Sequence, residues 1–181
     1  CLQNPNLDEN VILRASCLRY ITVFRAQLTK PDVLGVFPIL VNHLKSKSAV
    51  VHTYAANAIE LILSVKDRNP TTNRLQPRFT GEDLMQTLKS AVEPLVVKLL
   101  NFNDPNALLL NEYLMRCLMK VINFLGKNMI DLAVPVLGQF KILFGEVAKN
   151  PSNPLFNHYL FESIASIVRV AVPAKVQEVQ T

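Results

Sequence analysis

The chain has 181 residues, half of them hydrophobic and only 5 of them glycine, and strict alternation of apolar and polar residues is nearly absent. This composition predicts an all-helical protein. The net charge is +5, but the 19 Lys and Arg residues are scattered without aromatic interleaving, which argues against nucleic-acid binding. Because no uninterrupted apolar run approaches 18 residues, membrane insertion is not expected either.

The first part of the chain predicts one helix followed by a helix pair. Residues 1–7 are expected to be a linker, after which Asp8 can cap a helix that ends near Leu28. Pro31 cannot continue that helix but suits the first turn of the next one. Two helices, about 32–45 and 49–65, then form a pair over 31–65, so 8–28 is expected to be the second helix of a preceding repeat.

Residues 66–80 interrupt the helical pattern with two prolines and no apolar stripe. Four of their side chains are basic and one is acidic, and we interpret the segment as an insertion loop. Its arginines are candidate partner-binding residues, although a solvated, mobile loop without a binding role is the simpler alternative. These candidates are Arg68, Arg74 and Arg78.

Two further helix pairs follow, over about 81–126 and 128–172. Thr80 with Asp83 predicts a capping box at the start of the first pair. Its helices, about 82–102 and 106–126, are separated by polar residues and a proline at 103–106. The helices of the last pair, about 128–149 and 155–172, are separated by 150–154.

An internal repeat relates the second helices of these pairs. Counted from Ile12, Tyr54, Tyr113 and Tyr159, the offsets +1, +4, +5, +8 and +9 hold mainly apolar or small residues. The four starting points are 42, 59 and 46 residues apart, and the insertion accounts for the longest interval. A two-helix HEAT or armadillo unit repeats every 40 to 47 residues or so.

The first helices repeat as well, because each holds a proline before an aliphatic run, at Pro38, Pro94 and Pro135. A proline-bearing first helix is typical of HEAT repeats, and the run from Val51 to Ile59 fits the second-helix pattern with His52 in place of arginine. We therefore predict a right-handed α-solenoid of HEAT repeats, with about three helix pairs and one preceding helix.

Motifs of catalysis and cofactor binding are missing from the sequence. It has no nucleophile elbow, no Gly-rich phosphate loop and no HExxH pattern. His43, His52 and His158 stand apart from any carboxylate or cysteine at ligand spacing, and a packing role is expected for them. Cys1, Cys17 and Cys117 form no CxxC pair, which indicates a reducing compartment. No enzyme activity, metal or cofactor is expected.

A mostly polar column is predicted on the second helices, on the face opposite the apolar stripe. In a curved solenoid this face usually lines the concave side, where partners bind, although a plain solvated face is equally compatible with the sequence. The column also contains Leu61 and Ser166, and its candidate binding residues are Asn57, Ser64, Arg116, Lys120, Asn123, Glu162 and Arg169.

Three stretches give the chain a family resemblance: SAVVHTYAANAIE at 48–60, NEYLMRCLMKVI at 111–122 and KNPSNPLFNHYLFESI at 149–164. They resemble the central HEAT repeats of the CAS exportins, which are karyopherins of the importin-β superfamily. The similarity extends over the whole chain, beginning with LRYITVFRAQL at 18–28.

The resemblance implies a nuclear transport receptor that binds importin-α together with Ran-GTP in the nucleus and releases both in the cytoplasm. It also implies contact with nuclear pore proteins, shuttling between nucleus and cytoplasm, and a chain that is an interior fragment of a longer protein. Periodicity alone leaves open a HEAT scaffold of another class, such as a phosphatase or vesicle-coat adaptor. A regulatory or enzymatic segment with its active residues elsewhere is a further alternative.

Overall fold

The computed structural model of the protein describes residues 1–102, 110–149 and 152–172. The described residues form seven α-helices and one small antiparallel hairpin, so the predicted all-α class is confirmed. The helices are α1 (Val11–Val23), α2 (Lys30–His43), α3 (Ala49–Leu63), α4 (Gly81–Leu99), α5 (Glu112–Leu125), α6 (Ile130–Lys149) and α7 (Pro154–Ala171). The strands are β1 (Lys66–Arg68) and β2 (Leu75–Pro77), and a 3-10 turn, Gly126–Met129, precedes α6.

Contacts within the chain define two compact units, 1–87 and 88–181. The division falls within α4 and not in a loop. Each unit has a second helix that packs against two others, and each is described by itself below.

In the first unit, α3 packs against both α1 and α2. Its inward residues recur with helical spacing, and Ala55, Ala56 and Ala58 have no exposed surface. Small side chains at these positions let a neighbouring helix approach closely, while Ile59 and Ile62 fill the remaining space. The contact of α3 with α1 and α2 is the pattern expected when the second helices of successive HEAT pairs stack.

The second unit repeats this arrangement, since α7 packs against both α5 and α6. Met115, Cys117 and Leu118 of α5 are fully buried, as are Phe156 and Leu160 of α7. Cys117 therefore serves as a small core residue.

Side-chain caps determine where several helices begin. Thr29 and Asp32 form a complete capping box on α2, and the Thr80 backbone N–H donates to the Asp83 carboxylate at 2.8 Å. Lys30 Nζ lies 2.7 Å from the same Asp83 carboxylate. The pKa of Asp83 is below its ordinary value, chiefly because the Lys30 side chain donates to it.

The proline positions agree with the repeat. Pro38 lies inside α2, Pro94 inside α4 and Pro135 inside α6, the first helix of each predicted pair. Each proline removes one backbone N–H donor from its helix. Three prolines at the same place in the repeat are not readily explained by chance.

Several predicted boundaries are wrong. Helix α1 begins at Val11 after Asn10, which has a positive φ of 52°, and Asp8 lies outside it. Helix α5 begins at Glu112, where the Asn111 side chain accepts from two backbone N–H groups, and the predicted start near residue 106 lies outside the described residues. The predicted separator at 103–106 lies outside the described residues, as do Asn150 and Pro151.

We expect Leu118→Ala to lower the free energy of unfolding by about 2 to 5 kcal/mol, because it empties a fully buried site between helices. Urea denaturation followed by circular dichroism measures the change. Leu13→Ala is the matched control, because Leu13 is 54% exposed and its loss is expected to change stability by less than about 0.5 kcal/mol. Equal effects of the two substitutions would contradict the assignment of Leu118 to the core.

Candidate protein-interaction surface

The polar side chains predicted on α5 lie on the side of that helix opposite its buried residues. Asn123 is exposed, whereas Arg116 and Lys120 are half-buried. The Arg116 guanidinium lies 5.4 Å from the centre of the Tyr113 ring, a cation–π geometry that holds it against its own helix. Lys120 and Asn123 are therefore the α5 side chains that a partner can contact with least rearrangement.

On α7, Glu162 and Arg169 are exposed, but the predicted column is interrupted between them. Ser166 is only 8% exposed, so the prediction that it belongs to a polar surface is wrong. His158 Nε2 lies 3.3 Å from the Glu162 carboxylate, four residues further on. The sequence-based view that His158 stands apart from carboxylates is thus also wrong, although the pair lies at the surface and is ordinary for a helix.

On α3, the two predicted binding residues are less accessible. Asn57 and Ser64 are half-buried, and the Ser64 hydroxyl lies 3.0 Å from the backbone carbonyl oxygen of Glu60. Leu61, between them, is half-buried too. The polar positions of α3 accordingly offer less hydrogen-bonding capacity to a partner than those of α5 and α7.

The predicted insertion loop is an ordered β-hairpin. Strands β1 and β2 pair antiparallel with Lys66 opposite Pro77 and Arg68 opposite Leu75. At its tip the Asn69 side chain accepts from the backbone N–H groups of Thr71 and Thr72, at 2.8 and 3.0 Å. Such an Asx turn stabilises a tight reversal of the chain, so the inserted segment has a defined turn between its two strands.

Arg78 fastens this hairpin to the α1–α2 connection. Its guanidinium forms a two-pronged pair with Asp67 and donates to the backbone carbonyls of Arg25, Ala26 and Leu28, at 3.2, 3.1 and 2.6 Å. The Arg78 side chain donates to the Asp67 carboxylate and so lowers the pKa of Asp67, while Asp67 raises the pKa of Arg78. Arg78 forms its hydrogen bonds within the protein and is therefore no longer a candidate for partner binding.

The other two arginines of the segment remain at the surface. Arg74 is exposed next to the tip, and Arg68 is exposed with one guanidinium nitrogen 2.9 Å from the Asn73 side-chain oxygen. Both side chains are exposed enough to contact a partner.

A buried polar cluster in the first unit has no counterpart in the sequence predictions. Arg14 of α1 is 1% exposed, and its guanidinium donates to the backbone carbonyls of Glu9, Asn4 and Asn6. It also lies 3.0 Å from His43 Nε2. Arg14 thereby ties the first ten residues to the end of α2.

The state of His43 follows from its two contacts. Its Nδ1 lies 2.7 Å from the carbonyl oxygen of Ile39, which can only accept, so Nδ1 carries the hydrogen and Nε2 accepts from Arg14. Burial lowers the pKa of His43, and the positive charge of Arg14 lowers it further. His43 is thus a neutral, structural histidine.

Asp8, which is exposed, joins the first residues to the turn that precedes α3. Its Oδ1 accepts from the Ser46 hydroxyl at 2.7 Å and from the backbone N–H groups of Lys47 and Ser48 at 2.8 and 3.3 Å. These bonds, that from Ser46 first, lower the pKa of Asp8. No local sequence signal reports this contact, because the partners are 38 to 40 residues away.

Catalytic or metal-binding geometry is not evident in the part of the chain that the structure describes. Within residues 1–102, 110–149 and 152–172, no group of three or more His, Cys, Asp or Glu side chains could hold a metal ion. Nor is any helix there long and apolar enough to cross a membrane. The exposed polar side chains of α5, α7 and the hairpin remain as the candidate site.

Comparison with known proteins decides the family. The model of the family described as CAS/CSE protein, C-terminus, matches residues 60–181, and the one described as Cse1 matches residues 2–59. The chain belongs to the CAS/CSE family. The two matches meet inside α3, so their boundary does not coincide with the end of a helix.

Curated relatives of this CAS/CSE chain are much longer. Exportin-2 of Oreochromis niloticus is 34% identical over 177 residues, covering 96% of this chain and 17% of the relative. The importin alpha re-exporter of Saccharomyces cerevisiae is 36% identical over 169 residues, covering 91% of this chain and 17% of the relative. The family resemblance seen in the sequence is therefore confirmed.

A solved structure of this family has the same fold. It is the exportin Cse1 in its cargo-free, cytoplasmic state, which matches with a TM-score of 0.72 at 32% identity. The match covers 98% of this chain and 18% of the Cse1 chain. The helical arrangement described above is accordingly similar to that of one stretch of Cse1.

Arg78→Ala is expected to lower the free energy of unfolding by at least about 1.5 kcal/mol, because it removes charge-assisted hydrogen bonds to Asp67 and to three carbonyls. Thermal melting monitored by circular dichroism provides the measurement. Arg68→Ala is the control on the same hairpin and is expected to change stability by less than about 0.5 kcal/mol. Arg78→Ala melting like the native protein would show that the clamp contributes nothing.

Stability is expected to fall as the pH drops below about 6.5, the ordinary pKa of histidine. The pKa of His43 is lower in the folded protein, so the unfolded chain binds the proton first and is favoured as pH falls towards the folded pKa. Urea denaturation at about pH 7.5 and 5.5 measures this slope. His43→Gln should reduce this slope, and an identical slope in the native protein and the variant contradicts the assignment.

Proposed function

We propose that this chain is part of a nuclear transport receptor that carries importin-α from the nucleus to the cytoplasm together with Ran-GTP. The observation that carries the proposal is the match to CAS/CSE family models over residues 2–59 and 60–181. Relatives named Exportin-2 and importin alpha re-exporter align with more than nine tenths of the chain. Since the chain spans about a sixth of their length, its role is to supply one stretch of the scaffold.

The expected mechanism of such a scaffold depends on stacked helix pairs. In each unit the second helices pack on one another, α3 on α1 and α7 on α5. Each HEAT repeat contacts only its neighbours, so small rotations between repeats add up to a large change of curvature. Importin-α and Ran-GTP would then be coupled because both favour the same curved state.

The proposed cargo contacts are the polar side chains of the second helices. Asn123, Glu162 and Arg169 of the second unit are exposed, Lys120 is half-buried, and together they carry both charge signs. Arg116 stands beside them and is braced by Tyr113. Asn57 and Ser64 of the first unit are proposed as weaker contacts, because both are half-buried.

We also propose nuclear pore proteins as partners of the receptor, and shuttling between nucleus and cytoplasm as its behaviour. Its exportin relatives are transport receptors and not enzymes, and a transport role requires no catalytic residue in this stretch. A phosphatase or vesicle-coat scaffold would share the helical periodicity, but the exportin family membership favours transport.

A pull-down tests this function. The complete receptor that contains this chain is immobilised and offered importin-α with Ran loaded with GTP, with Ran loaded with GDP, or alone. We expect importin-α to be retained strongly only with Ran-GTP, at a ratio of about 5- to 150-fold in affinity. Equal retention in all three conditions would overturn the proposed function.

A charge-reversal variant tests the proposed contacts in the same assay. Lys120→Glu with Arg169→Glu is expected to weaken importin-α retention by about fivefold, which corresponds to about 1 kcal/mol. Lys127→Glu with Lys141→Glu makes the same change in charge at exposed positions outside the proposed surface and should leave retention unchanged. Unaltered binding by the first variant would remove α5 and α7 from the interface, provided both variants melt like the native protein.

A further inference from the structure

The β-hairpin has one face that points away from its anchor. Backbone bonds from Arg78 N to the Val65 carbonyl and from Asn69 N to the Arg74 carbonyl fix the register of the ladder. Because side chains alternate along a strand, this register places Asp67 with Arg78 on one face. The opposite face carries the two non-hydrogen-bonded pairs, Lys66 with Pro77 and Arg68 with Leu75.

This outward face is basic and apolar at once. Lys66 and Arg68 are exposed two residues apart on β1, and Leu75 opposite them is 62% exposed. The only acid of the hairpin, Asp67, lies on the other face and is bonded to Arg78, so it does not compensate these cations. Arg74 is exposed near the tip but lies opposite Asn69, so it belongs to the other face and does not add to this one.

The face is also held in position. Arg78 fixes the base of the hairpin to the α1–α2 connection, and the Asn69 turn fixes the tip. Arg68 is oriented by the 2.9 Å bond to the Asn73 side chain. A preorganised set of charges loses less conformational entropy on binding than the same charges on a mobile loop.

A partner would have to be recognised by the side chains of the hairpin and not by backbone pairing with its strands. Each strand has three residues, and Pro77 removes one N–H from the outer edge of β2. Addition of a further strand would therefore gain few hydrogen bonds. Cations at alternate positions of β1 match acids at alternate positions of an extended peptide, and Leu75 can pack against an apolar residue beside them.

We propose that the outward face of the hairpin, defined by Lys66, Arg68, Leu75 and Pro77, binds an extended acidic segment of a partner protein. The segment would carry acidic residues at alternate positions and at least one aliphatic side chain. An acidic peptide is favoured over a nucleic acid because residues 66–77 contain no aromatic side chain on which bases could stack. None of these four residues is among the polar side chains of α5 and α7 proposed for cargo.

Fluorescence anisotropy tests the proposal. The probe is a fluorescein-labelled peptide of about twelve residues in which Glu alternates with Ser and Leu, added to the protein at about 50 and 200 mM salt. Lys66→Glu with Arg68→Glu is expected to raise the Kd at least about tenfold, and binding by the native protein should weaken at the higher salt. Lys66→Arg with Arg68→Lys keeps both charges and should change the Kd less than about twofold.

The control separates a site from general attraction by a basic protein. Lys127→Glu with Lys141→Glu lowers the net charge by the same amount at other exposed positions and should leave the Kd within about twofold. Equal weakening by the two reversal variants, or no binding by the native protein, overturns the proposal. Tighter binding of an oligothymidylate of the same charge, lost in the same variant, would assign the face to single-stranded nucleic acid instead.

Discussion

Close packing of one central helix in each unit is the constraint on which the structure depends. Helix α3 contacts α1 and α2, and α7 contacts α5 and α6. Ala55, Ala56 and Ala58 are fully buried, so no larger side chain fits there without moving a neighbouring helix. Each fully buried Leu or Ile around them contributes about 1.5 to 3 kcal/mol, and this burial fixes which helices pair.

Apolar packing does not satisfy the backbone N–H and carbonyl groups of the segments that connect the helices. A few charged side chains form hydrogen bonds with these groups, some of them from positions distant in the sequence. Asp8 binds the turn that precedes α3, and Arg78 binds three carbonyls that follow α1. Arg14 binds three more carbonyls near the first residues. Buried charges are tolerated when hydrogen bonds replace their hydration, and here those bonds also hold the first ten residues and the hairpin in place.

The sequence predicts what depends on periodicity and fails where a contact joins distant residues. The offsets counted from Tyr54, Tyr113 and Tyr159 identify three second helices correctly, because burial on one helix face imposes that spacing. The hydrogen bonds between Asp8 and residues 46–48 leave no periodic trace, and the sequence wrongly predicts Asp8 as the cap of α1. The sequence does not predict the hairpin, because its strands have three residues each, too few for an alternation of apolar and polar residues to be recognised.

Tertiary contacts also decide which of the candidate binding residues are accessible to a partner. Arg68 and Arg78 lie ten residues apart in the sequence and have equal charge. Arg78 donates its hydrogen bonds to backbone carbonyls and to Asp67, whereas Arg68 faces outward. What separates them is the face of the ladder, which the register decides. In the same way Ser166 is buried and Arg169, three residues later, is exposed on the same helix. A polar or charged side chain becomes available to a partner only when folding leaves it exposed, and its exposure depends on tertiary contacts that residue type does not specify.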